Sequence, residues 1–251
     1  MIDQNSVLQV QSAGDLPLHC VVNLKAGSTF LRNLFHVLAH GELYTDPNMI
    51  HESEHQVMQS LSIDELAHDI SFFVIRNPID RFFSLYFDKI ISAPPRNFPW
   101  VTARMAKNWT FHAGPKLTIE QHRENCLSLI SFIKFRFNMH PMDAVNPHWK
   151  PQTEVVKRAI KFGLTPLLQE NLSAQLIQIS GDRIPGLDDA IALVGHRNKS
   201  TRTVFAKDIL TPRIRRLISE LYEADVALYK LLKSGWTETG QPPDLTFLME
   251  Q

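Results

Sequence analysis

The stretch that most constrains this chain is HCVVNLKAGSTFLRNLF, residues 19–35, an apolar run that turns at a glycine into a helical pattern. His19 to Leu24 reads as a short buried strand and Ser28 to about His40 as a helix. Phe30, Leu31, Leu34, Phe35 and Leu38 recur at helical spacing along one face of it. A strand that turns sharply into a helix leaves the first helical N–H groups without partners, and with the helix dipole these attract an anion. Gly27 permits close backbone approach, while Ser28 and Thr29 add hydroxyl donors. Lys25 precedes the glycine, so the G-x-x-x-x-G-K-[ST] pattern of a Walker A loop is not met. The next apolar run, ISFFVI (70–75), leads into Arg76, where a nucleotide triphosphatase places a carboxylate for Mg²⁺. A cation stands in place of a metal ligand. The pattern fits an anion neutralised by side chains and backbone, without a metal.

The remaining elements fill in an α/β chain. Ser62 and Glu65 form a capping box ahead of SIDELAHD, and the continuous run 70–75 suits a strand covered on both faces. After Asn77-Pro78 comes an amphipathic helix with Phe82, Phe83, Tyr86 and Ile90. Residues 92–117, rich in Pro, Trp and Asn, read as a long irregular excursion. Thr118 to about Met139 is helical, with a Thr118/Gln121 capping box. Thr211-Pro212 opens a long final helix with Gly235 at its stop. Strands alternating with helices predict an α/β domain with a largely parallel central sheet.

With 251 residues and 44% hydrophobic composition, the chain can bury one sizeable core, and residues 1–251 are expected to form a single domain. Twenty-six basic residues balance twenty-six acidic ones, so no net charge steers it toward nucleic acid or an acidic membrane. Cys20 and Cys126 fit neither a metal spacing nor a disulfide framework, which points to a reducing compartment. The N-terminal stretch lacks the pattern of a secretory signal, and no window has the apolar length of a membrane span. A cytoplasmic protein is expected, with no membrane span and no nucleic-acid partner.

The second motif, VIRNPIDRFFSLY (74–86), sets Arg76 at a strand end and Ser84 on the following helix. Arg81 reads there as a partner for Asp80 or Asp88. The planar arginine fork donates two parallel bonds to a phosphate. In this order the two motifs resemble the 5′-phosphosulfate loop and the 3′-phosphate motif of sulfotransferases that use 3′-phosphoadenosine 5′-phosphosulfate (PAPS). The likeness is to the carbohydrate branch, family 2, with the chondroitin 4-O- and HNK-1 enzymes. Asn77 replaces that family's acidic residue. NPHWKPQ (146–152), LLQENLS (167–173), NKSTRT (198–203) and ELYEADVALY (220–229) resemble further segments of it, in order. The eukaryotic relatives carry a Golgi anchor and a cysteine pair after the H-W segment. This chain shows neither, which suggests a bacterial-type enzyme.

The resemblance implies a P-loop-like three-layer fold and transfer of a sulfuryl group from PAPS to a hydroxyl or amine of a carbohydrate or small-molecule acceptor. It implies that Lys25 meets the charge on the departing bridging oxygen, while the N–H groups of Ala26, Gly27, Ser28, Thr29 and Phe30 cradle the 5′-phosphate. Arg76 and Ser84 would hold the 3′-phosphate. Lys199, Ser200, Thr201 and Arg202 would close over the nucleotide. A general base is needed, and His51, His55 and His148 are the candidates. His55 comes first by its resemblance-derived place, about twenty residues before Arg76. Residues 92–150 are expected to form an acceptor-side insertion or lid. Trp100, Trp109, Phe111 and Trp149 are available there to stack on an acceptor or to fill the core.

Two other functions compete. His51-Glu52-x-x-His55 matches the zinc-protease helix motif, but Met58 and Leu61 stand where a metzincin would continue with glycine and a third histidine. A nucleotide-binding or kinase-like module on the same fold would lack its Walker lysine and metal carboxylate.

Overall fold

The unbroken apolar run Ile70–Ile75 becomes the middle of the sheet, with all six residues buried, because a strand covered on both faces has no solvent side to leave polar. The computed structural model describes residues 7–45, 57–92, 97–114, 116–195 and 205–245. The chain runs β1 (Val7–Ser12), β2 (Leu18–Val21), α1 (Ser28–His40), β3 (Val57–Ser62), α2 (Ile63–His68), β4 (Ile70–Ile75) and α3 (Pro78–Leu85). It continues through α4 (Pro99–Asn108), α5 (Ile119–Met139), α6 (Gln152–Lys161), β5 (Thr165–Leu168), α7 (Leu172–Ser180) and α8 (Leu187–Val194). Then come α9 (Ala206–Ile209), α10 (Pro212–Leu221) and α11 (Glu223–Thr239).

The strand order is β3-β1-β2-β4-β5. β2, β4 and β5 are parallel, and β1 is antiparallel to both β2 and β3, so β1 alone is reversed. This is the mostly parallel, helix-flanked sheet expected. The apolar-run reading passed over β1 and β3, whose sequences VLQVQS and VMQSLS interleave polar residues. It also extended β2 too far, since that strand ends at Val21.

Two compact units divide the chain. The first comprises Met1–Arg76, Val155–Lys199 and Tyr229–Gln251 and contains the sheet. Within it α1 turns Leu31, Leu34, Phe35 and Val37 inward, and the Phe35 ring meets Phe72 of β4 edge-on at 6.5 Å. The other unit, Asn77–Glu154 and Ser200–Leu228, has its own core of Phe82, Tyr86, Leu129, Phe132, Trp149 and Ile218.

Three local features depart from expectation. The excursion at 92–117 contains α4, and the Asn125 carboxamide pins the segment after it by exchanging two hydrogen bonds with the His112 backbone, at 2.7 and 2.9 Å. The single final helix is two helices broken at Tyr222. Gly235 lies inside α11 rather than at its stop. A Cβ there would come within 2.7 Å of Pro243, so glycine permits a close approach. Arg81 is 3% exposed and donates to the Pro147 carbonyl at 3.2 Å.

Candidate active site

Between Val21 and Ser28 the chain makes a turn with two left-handed residues, Lys25 at φ 67° and Gly27 at φ 91°. Glycine adopts that conformation freely, whereas a lysine there costs on the order of 1 kcal/mol. Backbone strain of this kind persists where the surroundings over-determine it. Here the Ala26 N–H donates to the Asn23 carbonyl at 3.2 Å, and the Arg76 Nη1 donates to the Lys25 carbonyl at 3.0 Å. The Asn23 side chain donates to the Val74 carbonyl at 2.9 Å. The loop after β2 is thus tied to the end of β4 at two points.

Gly27 is the N-cap of α1, with no side-chain cap and no acidic residue in the first turn. The first turn of this 13-residue helix thus supplies no carboxylate of its own to offset the positive end of its dipole. Ala26 is buried, and Ser28, Thr29 and Phe30 are half-buried around that end. A Cβ on Gly27 would lie 3.4 Å from Leu172 Cδ2 and 3.6 Å from Gln169 Cγ. The segment following β5 flanks the glycine. In open α/β sheets ligands bind beyond the carboxyl ends of the strands, and here the ends of β2, β4 and β5 supply Lys25, Arg76 and Gln169. Burial pushes the Cys20 thiol on β2 well above its ordinary range, so it is no nucleophile.

Asn77, where the resembled motif has an acidic residue, accepts the Ile79 N–H at 3.0 Å and caps α3 with Pro78 in the first turn. An aspartate would make the same bond, so the exchange leaves the cap intact. Ser84 is half-buried on α3, in the helical unit. In the H-W segment of that unit, the backbone N–H and Nδ1 of His148 both reach Asn146 Oδ1, at 3.0 and 2.9 Å. An amide oxygen only accepts, so Nδ1 donates in this bond. The ring stands edge-on to Phe98 at 5.1 Å.

The sulfotransferase family model matches residues 17–231, from the strand before the anion loop into α11. The chain belongs to the sulfotransferase family. No curated protein and no solved structure matches it significantly.

Membership makes this sulfotransferase a transferase acting on an acceptor, and the metalloprotease alternative is not favoured. His51, Glu52 and His55 lie outside the described residues, as do Lys199, Ser200, Thr201 and Arg202. The residues immediately following the zinc-like motif, Val57–Ser62, form a strand and not a continuing helix. Among the described residues no group of three potential metal ligands occurs, and no helix is long and apolar enough to cross a membrane. Of the aromatic candidates, Trp149 is core, Trp109 and Phe111 pack against it, and Trp100 is 48% exposed.

The sulfotransferase's Y-x-x-D pair serves a structural purpose that its sequence did not disclose. Tyr222 donates to the Trp149 carbonyl at 3.0 Å. Asp225 accepts from the N–H groups of Gln152 and Thr153 and from the Thr153 hydroxyl, at 2.8 to 2.9 Å. Burial raises the Asp225 carboxyl, and these bonds and the Arg81 charge oppose the rise.

Proposed function

We propose that this protein transfers the sulfuryl group of PAPS to a hydroxyl or amine of a carbohydrate or small-molecule acceptor. The observation that carries the reading is the strained lysine of the anion loop, held by Arg76 beside the uncapped start of α1. That arrangement fits the donor: it offers helical N–H groups, hydroxyls and two cations to an anion, with no carboxylate in the first turn of α1.

In the transfer, an acceptor oxygen or nitrogen bonds to sulfur as the bond from sulfur to the bridging oxygen of the nucleotide breaks. Lys25 neutralises the charge gathering on that oxygen, and the first turn of α1, Ala26 to Phe30, holds the 5′-phosphate. Arg76 and Ser84 bind the 3′-phosphate, and Lys199, Ser200, Thr201 and Arg202 complete the nucleotide shell. The acceptor proton passes to a histidine, His55 or His148. For His148, the Nδ1 bond to Asn146 that orients its ring supports the role. The reading needs no metal. It treats the two units as one catalytic domain, with residues 92–150 on the acceptor side, because the family match spans segments of both. It also assigns the enzyme to a bacterial-type, cytoplasmic member of the carbohydrate branch.

Lys25→Ala and Arg76→Ala are each expected to reduce PAPS-dependent transfer at least a hundredfold while leaving the circular dichroism spectrum unchanged, using the scale of lost transition-state donors. Bisphosphate release in a screen of acceptor classes measures it. Full activity in either variant overturns the assignment.

A further inference from the structure

The chain as a whole is electrically balanced, but residues 89–119 are not. That stretch holds Lys89, Arg96, Arg104, Lys107 and Lys116 and no aspartate or glutamate. Within it, in the helical unit, lies Trp100 of α4, whose side chain is 48% exposed. The covered part of that ring packs on Trp149 at 5.8 Å, Phe132 at 5.9 Å and Phe98 at 6.5 Å. Arg136 of α5 sets its guanidinium over the same ring, 6.0 Å from the centroid. Among the described residues Arg136 has no ion pair and no side-chain hydrogen bond, and its Nε is buried without an acceptor. A buried donor left unmet is costly, and a guanidinium can only donate. The place beside Trp100 therefore suits an anionic oxygen. Phe98 links it to the candidate base, since the same ring meets His148 at 5.1 Å.

The chemistry missing from this stretch narrows the ligand. Sugar hydroxyls both donate and accept, so a sugar site needs acceptors as well as donors. Residues 89–119 offer cations and aromatic rings and no carboxylate. A flat ring that carries a carboxylate matches them, with ring against indole and carboxylate in the arginine fork. We propose that Trp100 and Arg136 form an acceptor subsite for a hydroxylated aromatic carboxylate. The proposal rests on the reading of this protein as a PAPS-dependent enzyme and narrows its acceptor to a small molecule. In the transfer the phenolic oxygen bonds to sulfur and the bond from sulfur to the bridging oxygen of PAPS breaks. The phenolic proton passes to the base, and the products are an aryl sulfate and adenosine 3′,5′-bisphosphate. Trp100 and Arg136 govern the choice of acceptor.

The test uses the full chain and three probes. Para-hydroxybenzoate has both features, its methyl ester keeps the ring without the charge, and glucuronate keeps the charge without an aromatic ring. By calorimetry the unaltered protein is expected to bind the aromatic acid about tenfold more tightly than either of the others, the equivalent of one charged hydrogen bond. Transfer from PAPS should follow the same order in the KM for the acceptor. Arg136→Gln should erase most of the difference between acid and ester, and Trp100→Ala should weaken the two alike. An ester bound as tightly as the acid overturns the proposal, and so does tighter binding of glucuronate. Both comparisons are made on the unaltered protein, so neither depends on a variant folding. A difference between acid and ester that survives Arg136→Gln also overturns it. Binding is read without PAPS. Absence of bisphosphate release with every acceptor therefore overturns the sulfuryl-transfer reading, while the binding order still judges the subsite.

Discussion

Lys25 and Asp225 show two ways in which one residue concentrates energy. Lys25 holds a left-handed backbone that few side chains accept, and its carbonyl is fixed by the Arg76 fork. Arg76 therefore has a structural duty in the loop before any phosphate arrives, and loss of Arg76 should loosen Lys25 as well as the donor site. Asp225 is 1% exposed and satisfies the first N–H groups of α6. Removing a hydrogen-bonded carboxyl from the interior leaves several donors unmet. Asp225→Ala is expected to cost about 3 kcal/mol, read as a lower urea midpoint at unchanged slope. A loss below about 0.5 kcal/mol would show that water replaces the carboxylate at no cost.

The elements whose signals are local folded as read. Both capping boxes are present: Ser62 with Glu65, and Thr118 with Gln121, whose two side-chain bonds measure 2.9 and 3.2 Å. Apolar spacing placed α1, whose Leu31, Leu34, Phe35 and Val37 are buried along one stripe. The final helix was misread because its stripe continues across Tyr222 while the backbone does not. A pH dependence belongs to the pairing of α5 with the segment after α3. There the Tyr86 hydroxyl and His122 Nδ1 share a hydrogen bond of 2.7 Å, and burial holds the His122 imidazole below its ordinary value of 6.5. Because the folded value is depressed, the unfolded chain binds the extra proton first. Stability is therefore fully present above about pH 6.5 and falls as pH drops through the window below it. Urea titrations of the unaltered protein and of His122→Gln should diverge in pH slope below that point. Identical slopes would remove His122 from the account.

For the whole molecule, the donor site predicts linkage between binding and stability. Anything bound by the folded chain alone raises its melting temperature, and a hundredfold excess over Kd adds about 2.7 kcal/mol, a shift of roughly five degrees or more for a chain of this size. Adenosine 3′,5′-bisphosphate should produce that shift without Mg²⁺, and ATP with Mg²⁺ should produce less. The reverse order would favour the nucleotide-kinase-like reading. The pairing of β1 with β3 is also decided at this scale, because neither strand has an apolar run that announces it.

Sequence alone determined the strand-loop-helix around Lys25, the apolar strand leading to Arg76, the helix caps and the family to which these motifs belong. Each of these depends on residues within a turn or two of one another, so propensity and spacing suffice. Tertiary structure alone decided that Arg76 grips the Lys25 carbonyl across 51 positions and that Asp225 caps a helix 72 and 73 positions away. Such partners are chosen by which buried polar groups meet when the strands and helices pack, and no local pattern encodes that meeting.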